Sequence, residues 1–495
     1  MFVRNVYSRA EEEALKKWRE RSESLVGWID DMPSEDFPYP VRFRTVAKEV
    51  IEHHAFTVDF KNPLYRDEAY AKKSRWGGII APPFFVKSIC SAGPFHWLPM
   101  PPEVGKLDTL SIGEGFEFFK PVRPGDSFRV WCGLATLEDI TEEGEQPLRK
   151  YHISEEIKYY NQKDELACIS FRNNDCAFAA PDAEYGKILR MGYEMAAVFG
   201  GMADLGKIRQ TAEYKYDPAD IEAIDNLYAN EERRGSKIRY WEDVNVGDLL
   251  PPIVMGPITS WDAATYLATF GAVLMPMMEI RRRTPHEVIV DPATNIPHKT
   301  IELHLGPQVA KIVGFYSPTI IETIIQSFFG RLASNWMGDD GFVRRFEWSK
   351  MANTNFGDSI FGRGRVLRKY FDNEGNCLVD IDAWMETQRG YISNAGPTTI
   401  CLPSKTVNST GNLPALREQP VPDLNPQDIK AGDRVRIKPR LDWELPGGYP
   451  LADETAKVFE LFSVDGFAFL LLDNDVTGID PRVPLGFRLE SLEKV

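Results

Sequence analysis

One pattern occurs twice in this chain, and an internal repeat of this size constrains the fold more than any other feature. In each copy a polar or aromatic side chain precedes an alanine by six positions, Tyr65 before Ala71 and His304 before Ala310. A Gly-marked turn, an apolar helix, a Gly-Asp-Ser turn and a strand-rich stretch with a glutamine follow. The repeat predicts two fused copies of one fold, and the unequal matched residues predict that the copies differ in role. The turns are Gly125-Asp126-Ser127 and Gly357-Asp358-Ser359, and the glutamines are Gln162 and Gln388.

The composition is that of an ordinary acidic globular protein. The chain has 495 residues and a net charge of −15, which disfavours nucleic acid or an anionic membrane as the partner. The six cysteines lack zinc-site spacing, so we expect reduced thiols and no metal. The N-terminal residues lack a signal-peptide core, and no apolar run has membrane-spanning length. A soluble cytoplasmic protein is therefore expected.

Changes in composition divide the chain into segments. Residues 8–30 predict an amphipathic helix with Ser8 as its N-cap. Short strands separated by tight turns after residue 430 predict an appended barrel. The predicted segments are an N-terminal helical extension (1–44), the first copy (45–180), a helical connector (181–239), the second copy (240–403), a linker (404–429) and a small β-barrel (430–495).

Each copy is predicted to contain one helix followed by antiparallel strands. The first helix is short, since prolines precede it and Gly93-Pro94 follow it. The second is predicted to start with Ser317 as cap and Pro318 at the first helical position, and to end at Gly338. Its apolar side chains on all sides indicate a helix buried by a sheet. The predicted class is therefore α+β.

These segments resemble a known family. KNPLYRDEAYA, WGGIIAPPFF, FKPVRPGDSF and YWEDVNVGD are similar to segments of the MaoC-like acyl dehydratases and enoyl-CoA hydratases. The second copy resembles the C-terminal half of the fused members, which have two hotdog domains, each a helix wrapped by an antiparallel sheet. The resemblance covers roughly residues 45–403. It implies an acyl-CoA thioester as substrate, hydration or dehydration at the 2,3 position, no separate cofactor, and a homo-oligomer or a hetero-oligomer with another hotdog or enzyme subunit.

The first copy departs from the family's catalytic loop, Asp-x-Asn-Pro-x-His. It keeps Asn62, which the resemblance places near the substrate, but Tyr65 stands at the histidine position and Phe60 at the aspartate position. Asp59 is one residue out of register. Tyr65 and Asp59 are the acid–base candidates here, since a hydration needs groups that move protons. The alternative is a degenerate copy whose groove holds the acyl chain.

The second copy keeps only the histidine of that loop. His304 is either an acid–base catalyst or a histidine on a buried strand bonded to backbone. Glu302 is its expected partner, since residues two apart share a side of an extended strand; Asp291 and Glu322 are alternatives. Backbone groups near the predicted helix start are expected to bind the thioester oxygen. These substrate-binding candidates are Gly314, Phe315 and Pro318.

Several arginines could bind the phosphates of coenzyme A. Arg281 and Arg282 are the first candidates, with Arg363 and Arg365 on one face of a strand as others. The alternative for each is a solvated charge. The many aromatic side chains would suit a bulky or aromatic acyl group, although most fit an ordinary core. Because neither copy has the complete loop, a second function stays open: a catalytically silent acyl-thioester-binding or structural subunit beside an active hotdog partner.

Overall fold

The computed structural model describes residues 8–32, 45–93, 107–140, 149–178, 214–270, 276–283, 288–312, 317–414, 419–476, 481 and 484–495. The chain forms two compact units, each assembled from separated segments. Unit 1 comprises Met1–Thr57, Phe84–Lys207 and Ser260–Glu322, and unit 2 comprises Val58–Pro83, Ile208–Thr259 and Thr323–Val495. The loop that precedes the helix in each copy therefore belongs to the unit built on the other copy's strands. The linear domain boundaries stay predictions.

Helices and strands occur in separate runs along the chain, as in an α+β protein. The helices are α1 (Arg9–Ser24), α2 (Lys48–Val58), α3 (Glu68–Ala71), α4 (Val86–Ile89), α5 (Pro218–Ala229), α6 (Ser260–Phe270), α7 (Met277–Arg283), α8 (Pro307–Ile312), α9 (Glu322–Met337) and α10 (Lys405–Thr410). In the described part of the chain, no helix combines the length and the apolar character that crossing a membrane requires.

The strands are β1 (Gly27–Trp28), β2 (Leu107–Phe118), β3 (Arg129–Asp139), β4 (Arg149–Tyr160), β5 (Leu166–Phe178), β6 (Ile253–Met255), β7 (Val288–Val290), β8 (Pro297–Lys299), β9 (Phe342–Lys350), β10 (Ile360–Phe371), β11 (Cys377–Thr387), β12 (Ile392–Ala395), β13 (Thr398–Cys401), β14 (Arg434–Ile437), β15 (Thr455–Leu461), β16 (Phe467–Leu472), β17 (Leu485–Arg488) and β18 (Leu492–Lys494).

Unit 1 is an antiparallel sheet in the order β1-β3-β4-β5-β2 with the short helix α4 against it. Alternate β4 residues, Ile153, Ile157 and Tyr159, are buried, as one face of a strand requires. The Tyr159 hydroxyl donates to the carbonyl of Cys90 at the end of α4 at 2.6 Å. The short helix predicted for the first copy is confirmed.

The N-terminal helix α1 is amphipathic and packs in unit 1. Ser8 and Glu11 form a capping box: the Ser8 hydroxyl accepts from the Glu11 N–H, and the Glu11 carboxylate accepts from the Ser8 N–H. Its apolar face, including Leu15 and Trp18, joins a cluster with Tyr151 of β4. The predicted cap is confirmed. The predicted extent to residue 30 is wrong, because α1 ends at Ser24 and Gly27–Trp28 pair with β3 as strand β1.

Unit 2 surrounds α9, which is buried on nearly all sides from Ile324 onward. Strands β6, β10, β11, β13 and β9 form an antiparallel row around it. Phe329 of α9 contacts Phe346 of β9, with ring centroids 5.3 Å apart. At Gly396, between β12 and β13, an added Cβ would lie 2.4 Å from the Phe329 ring, so only glycine fits there. The buried helix and its end at Gly338 are confirmed.

The predicted start of this helix at Pro318 is wrong, because α9 begins at Glu322. The physical reason is the side chain of His304, which binds both the carbonyl and the hydroxyl of Thr319. That backbone carbonyl is therefore engaged outside a helix. Ser317, Pro318 and Thr319 are buried in non-helical conformation.

The short strands after residue 430 are confirmed, and they belong to unit 2. They pair in the order β17-β16-β15-β14-β18, and a single 3-10 turn, Leu489–Ser491, connects β17 to β18. Strand β17 also pairs with β12 at Ile392↔Gly486. This order is compatible with a small barrel, whose closure stays a prediction.

The repeated Gly-Asp-Ser turn has the same hydrogen bonds in both copies. In the first copy, the Gln162 amide accepts from the Ser127 N–H at 3.0 Å and donates to Asp126 at 3.0 Å. In the second copy, Gln388 does the same with Ser359 at 3.0 Å and Asp358 at 2.7 Å. The glutamine of the repeat is thus a structural residue that closes the turn. Duplication of the fold extends to this detail.

Candidate functional site

Asn62 organises the loop that precedes α4, the helix of the first copy; this loop belongs to unit 2. Its side chain accepts from the Leu64 N–H at 3.1 Å, which caps a 3-10 turn, Pro63–Tyr65. The same amide donates to the Asp59 carboxylate at 3.1 Å. The structure therefore brings three of the sequence candidates, Asp59, Asn62 and Tyr65, into one buried group. Asn62 is a capping residue here, and contact with a substrate stays a prediction.

Asp59 is held in a buried ion pair. Its carboxylate is 3% exposed and contacts the guanidinium of Arg233 through both oxygens. The hydroxyl of Ser334 on α9 donates to it at 3.2 Å. With both oxygens engaged by a buried guanidinium, this carboxylate is occupied by its ion pair and is poorly placed to act on a substrate. The arrangement favours a structural role for Asp59.

Tyr65 is equally unsuited to exchange protons near neutral pH. Burial raises the pKa of its hydroxyl far above the usual range, and the negative charge of Asp59 adds to the effect. The hydroxyl therefore stays protonated, and giving up its proton would place a second negative charge beside Asp59. This geometry favours the alternative of a degenerate copy, which stays a prediction.

Arg233 and Ser334 were missed by the sequence reasoning. Arg233 lies in the Glu-Glu-Arg-Arg-Gly stretch, residues 231–235, which belongs to the predicted helical connector but follows the end of α5 and is not helical. The first residue of that stretch, Glu231, forms a second buried pair with Arg331 of α9 and accepts from Asn335 at 2.6 Å. The sequence shows adjacent glutamates and arginines in this stretch. It does not show which residues they pair with, because Asp59 and Arg331 are distant in the chain.

In unit 1, His304 ends a 3-10 turn, Thr300–His304, rather than lying on a strand. Its Nδ1 is 2.9 Å from the carbonyl of Thr319 and 3.1 Å from the hydroxyl of the same residue. A carbonyl oxygen can only accept, so Nδ1 carries the proton. When the ring is neutral, Nε2 then carries the lone pair, as a general base requires.

The expected pairing of Glu302 with His304 is replaced by another one. Glu302 contacts Nδ1 of His298 at 2.8 Å and accepts from the Lys299 N–H at 2.9 Å. The expectation assumed an extended strand, where residues two apart share a side. In a 3-10 helix with about three residues per turn, they point in different directions. Of the alternatives, Asp291 closes a turn by accepting from Ala293 and Thr294.

The remaining candidates are dispersed. Gly314 and Phe315 lie outside the described residues, and Pro318 is buried ahead of α9. Arg281 and Arg282 are exposed on α7, where a phosphate could reach them. Arg363 and Arg365 are engaged in ion pairs, which disfavour their prediction as phosphate ligands. The buried Arg363 pairs with Glu386 and Glu444, and the partly buried Arg365 pairs with Glu490.

A search of protein families agrees with the resemblance seen in the sequence. Residues 37–169 match the model of the FAS1-like dehydratase domain region, so the resemblance to dehydratases is confirmed for the first copy. A UPF0336 protein of Streptomyces avermitilis is 32% identical over 100 residues, which are 19% of this chain and 64% of that protein. The chain thus spans less than two thirds of this relative.

Solved structures with similar folds were also found. A MaoC-like dehydratase is 16% identical, with a TM-score of 0.49 over 73% of this chain and 96% of that one. A protein of Mycobacterium tuberculosis described as a double hotdog fold is 12% identical, with a TM-score of 0.43 over 76% of this chain and 98% of that one. The helices and antiparallel strands of the described residues make the chain an α+β protein.

Proposed function

We propose that this protein is a hydratase or dehydratase that adds or removes water at the 2,3 position of an acyl thioester. The observation that carries the proposal is the contact of His304 Nδ1 with the Thr319 carbonyl at 2.9 Å. It supports a proton on Nδ1, so that Nε2 is the nitrogen proposed to exchange a proton with the substrate. The dehydratase family match of the first copy supports the reaction class.

In the hydration direction, Nε2 of His304 would take a proton from water as its oxygen bonds to C3. The electrons of the double bond would move toward the thioester carbonyl, and the imidazolium would then return the proton to C2. The Thr319 carbonyl accepts from Nδ1–H in both protonation states, and it stabilises the imidazolium more strongly. One histidine can therefore serve both proton transfers, without the partner expected at Glu302.

The thioester oxygen gains negative charge during this reaction and needs hydrogen-bond donors. Pro318 has no N–H and cannot supply one. We propose the backbone of Gly314 and Phe315 as donors, and Arg281 and Arg282 as ligands of the coenzyme A phosphates. Their exposure on α7 supports the second assignment.

The test is turnover of a panel of trans-2-enoyl-CoA and 3-hydroxyacyl-CoA thioesters. We expect His304→Ala to lower kcat/KM by at least about 100-fold, the usual contribution of a general acid–base residue. His298→Ala is the matched control, because it removes the neighbouring imidazole that Glu302 contacts. Equal activity of wild-type protein and His304→Ala would remove this histidine from the mechanism.

A second candidate function has its own observation. The ion pair between Asp59 and Arg233 supports a structural role for the loop of the first copy. If the second copy is equally silent, the protein would be an acyl-thioester-binding or structural subunit of a homo- or hetero-oligomer. Saturable binding of the same thioesters without turnover by the isolated protein would favour this alternative.

A further inference from the structure

The interior of unit 1 contains a histidine that neither the repeat nor the proposed reaction uses. His54 of α2 is 1% exposed, and its Nδ1 is 3.4 Å from the hydroxyl of Ser88 on α4, a long distance for a hydrogen bond. Among the residues that the structure describes, Nε2 of His54 has no hydrogen-bond partner. A buried polar atom in this state is stabilised by any group that can pair with it.

Aromatic rings flank this imidazole. The ring of Phe85 meets it edge-on, with centroids 5.3 Å apart, and the ring of Tyr266 on α6 is 6.1 Å away. A water molecule in a protein interior needs two to four polar partners, roughly. The imidazole and the Ser88 hydroxyl are the polar groups that the described contacts place here. A hydroxyl on an aromatic or apolar body matches these surroundings better, since its body would contact the rings.

Backbone strain at Phe84, the residue before Phe85, is an independent observation. Phe84 has φ +70°, in the left-handed region that a bulky side chain rarely adopts. Its ring is held between Phe116 and Phe118 of β2, at 5.2 and 5.5 Å between centroids. Strain of this kind persists where the surroundings enforce it, and it concentrates at ligand sites.

The charge state of His54 limits the ligand. Burial lowers the pKa of the imidazole to about 4, so the ring is neutral at pH 7. A carboxylate or phosphate would find no compensating positive charge at this imidazole. A hydroxyl can donate or accept, and therefore suits either tautomer of the neutral ring.

We propose that His54 and Ser88 form the polar end of a binding subsite in unit 1 for an uncharged, hydroxyl-bearing aromatic or apolar group. Its assignment to the acyl group of the substrate rests on the proposed function. The residues of this subsite and His304 belong to the same compact unit.

The test titrates full-length protein with p-cresol and toluene, two probes of similar size that differ in one hydroxyl. Calorimetry measures affinity, and nitrogen-15 spectra of the histidine side chains report whether His54 binds the probe. We expect p-cresol to bind roughly fivefold more tightly than toluene, the effect of one net hydrogen bond, and to shift the His54 resonances. His54→Phe should bring the ratio of affinities to about one. His53→Phe, at the exposed neighbouring position, is the control.

The subsite would be overturned if the wild-type protein bound the two probes with equal affinity, or if p-cresol did not shift the His54 resonances. An internal water would then be the partner of Nε2. Circular dichroism verifies folding of His54→Phe, and Ser88→Ala provides a second, smaller change with the same expected loss. The outcome is separate from the hydratase assay. Binding of p-cresol at His54 without thioester turnover would support the subsite and reject the hydratase reaction. Thioester turnover without selectivity for p-cresol would support the reaction and reject the subsite.

Discussion

Single residues decide whether the catalytic loop of the first copy is active. Asp59 is separated from Asn62 by one residue more than in the family pattern, and the structure directs its carboxylate to Arg233. Tyr65 then lies beside a charge that is already paired. The sequence could identify the shifted register, because it is a matter of counting. It could not identify Arg233 as the partner, because the two residues are far apart in the chain.

Asp59→Asn should destabilise the protein by about 3 kcal/mol, because it removes the carboxylate that contacts the guanidinium of Arg233 through both oxygens in a largely buried site, and leaves the more distant Glu231 at 3.8 Å. Urea denaturation followed by tryptophan fluorescence measures the change. Glu68→Gln, the same chemical change in an exposed pair with Lys72 at 3.4 Å, should cost less than about 1 kcal/mol. A similar loss in both variants would show that the Asp59 pair contributes nothing beyond a surface ion pair.

The second copy shows why a candidate pair could not be assigned from sequence spacing. His304 was identified because its distance from Ala310 is that of the family histidine. The predicted pairing with Glu302 assumed an extended backbone. The backbone forms a 3-10 turn instead, and the carboxylate of Glu302 contacts His298. The bond to Thr319 spans fifteen residues, and no local pattern predicts it.

At the scale of elements, the repeated turn provides an internal comparison. Gln162 and Gln388 make the same hydrogen bonds, but Gln162 is exposed and Gln388 is fully buried. Burial also raises the pKa of Asp358, whose carboxylate accepts a hydrogen bond from the side-chain amide of Gln388. The same motif therefore contributes differently to stability in the two copies.

Gln388→Ala should lower the free energy of unfolding by about 2–3 kcal/mol, because a buried N–H and a buried carboxylate lose their partner. Gln162→Ala removes the same bonds where water can replace them, and should cost less than about 1 kcal/mol. Urea denaturation of the two variants in parallel gives the comparison. Equal costs would mean that burial does not determine the strength of this turn.

At the scale of the whole molecule, charged residues attach the last strands to the second copy within unit 2. Arg440 bonds Glu386 of β11 at 2.6 and 2.7 Å, and Arg488 contacts Asp382 at 2.6 Å. Tyr449 donates to the carbonyl of Gly390 at 2.7 Å. Buried charges of this kind are costly when one partner is removed. The C-terminal strands and the second copy should therefore unfold together.

Arg440→Gln should lower stability by about 3 kcal/mol, since the buried carboxylate of Glu386 would lose one of its two guanidinium partners, Arg363 and Arg440. Arg434→Gln breaks an exposed pair with Asp473 in the same strands, and should cost less than about 1 kcal/mol. Urea denaturation and limited proteolysis measure the effect. Early release of a C-terminal fragment from the wild-type protein, with the second copy intact, would contradict coupled unfolding.

The sequence by itself determined the duplication, the two helices, the strand-rich stretches and the position of His304, because these follow from local periodicity, turn chemistry and counted spacing. Tertiary structure decided the partners of Asp59, Glu302, His304 and Arg363, because hydrogen bonds and ion pairs form between groups that only folding brings together. It also decided that the loop before each helix joins the other copy's unit. The physical reason is that a buried charge needs a partner, and the nearest one in space is rarely the nearest one in sequence.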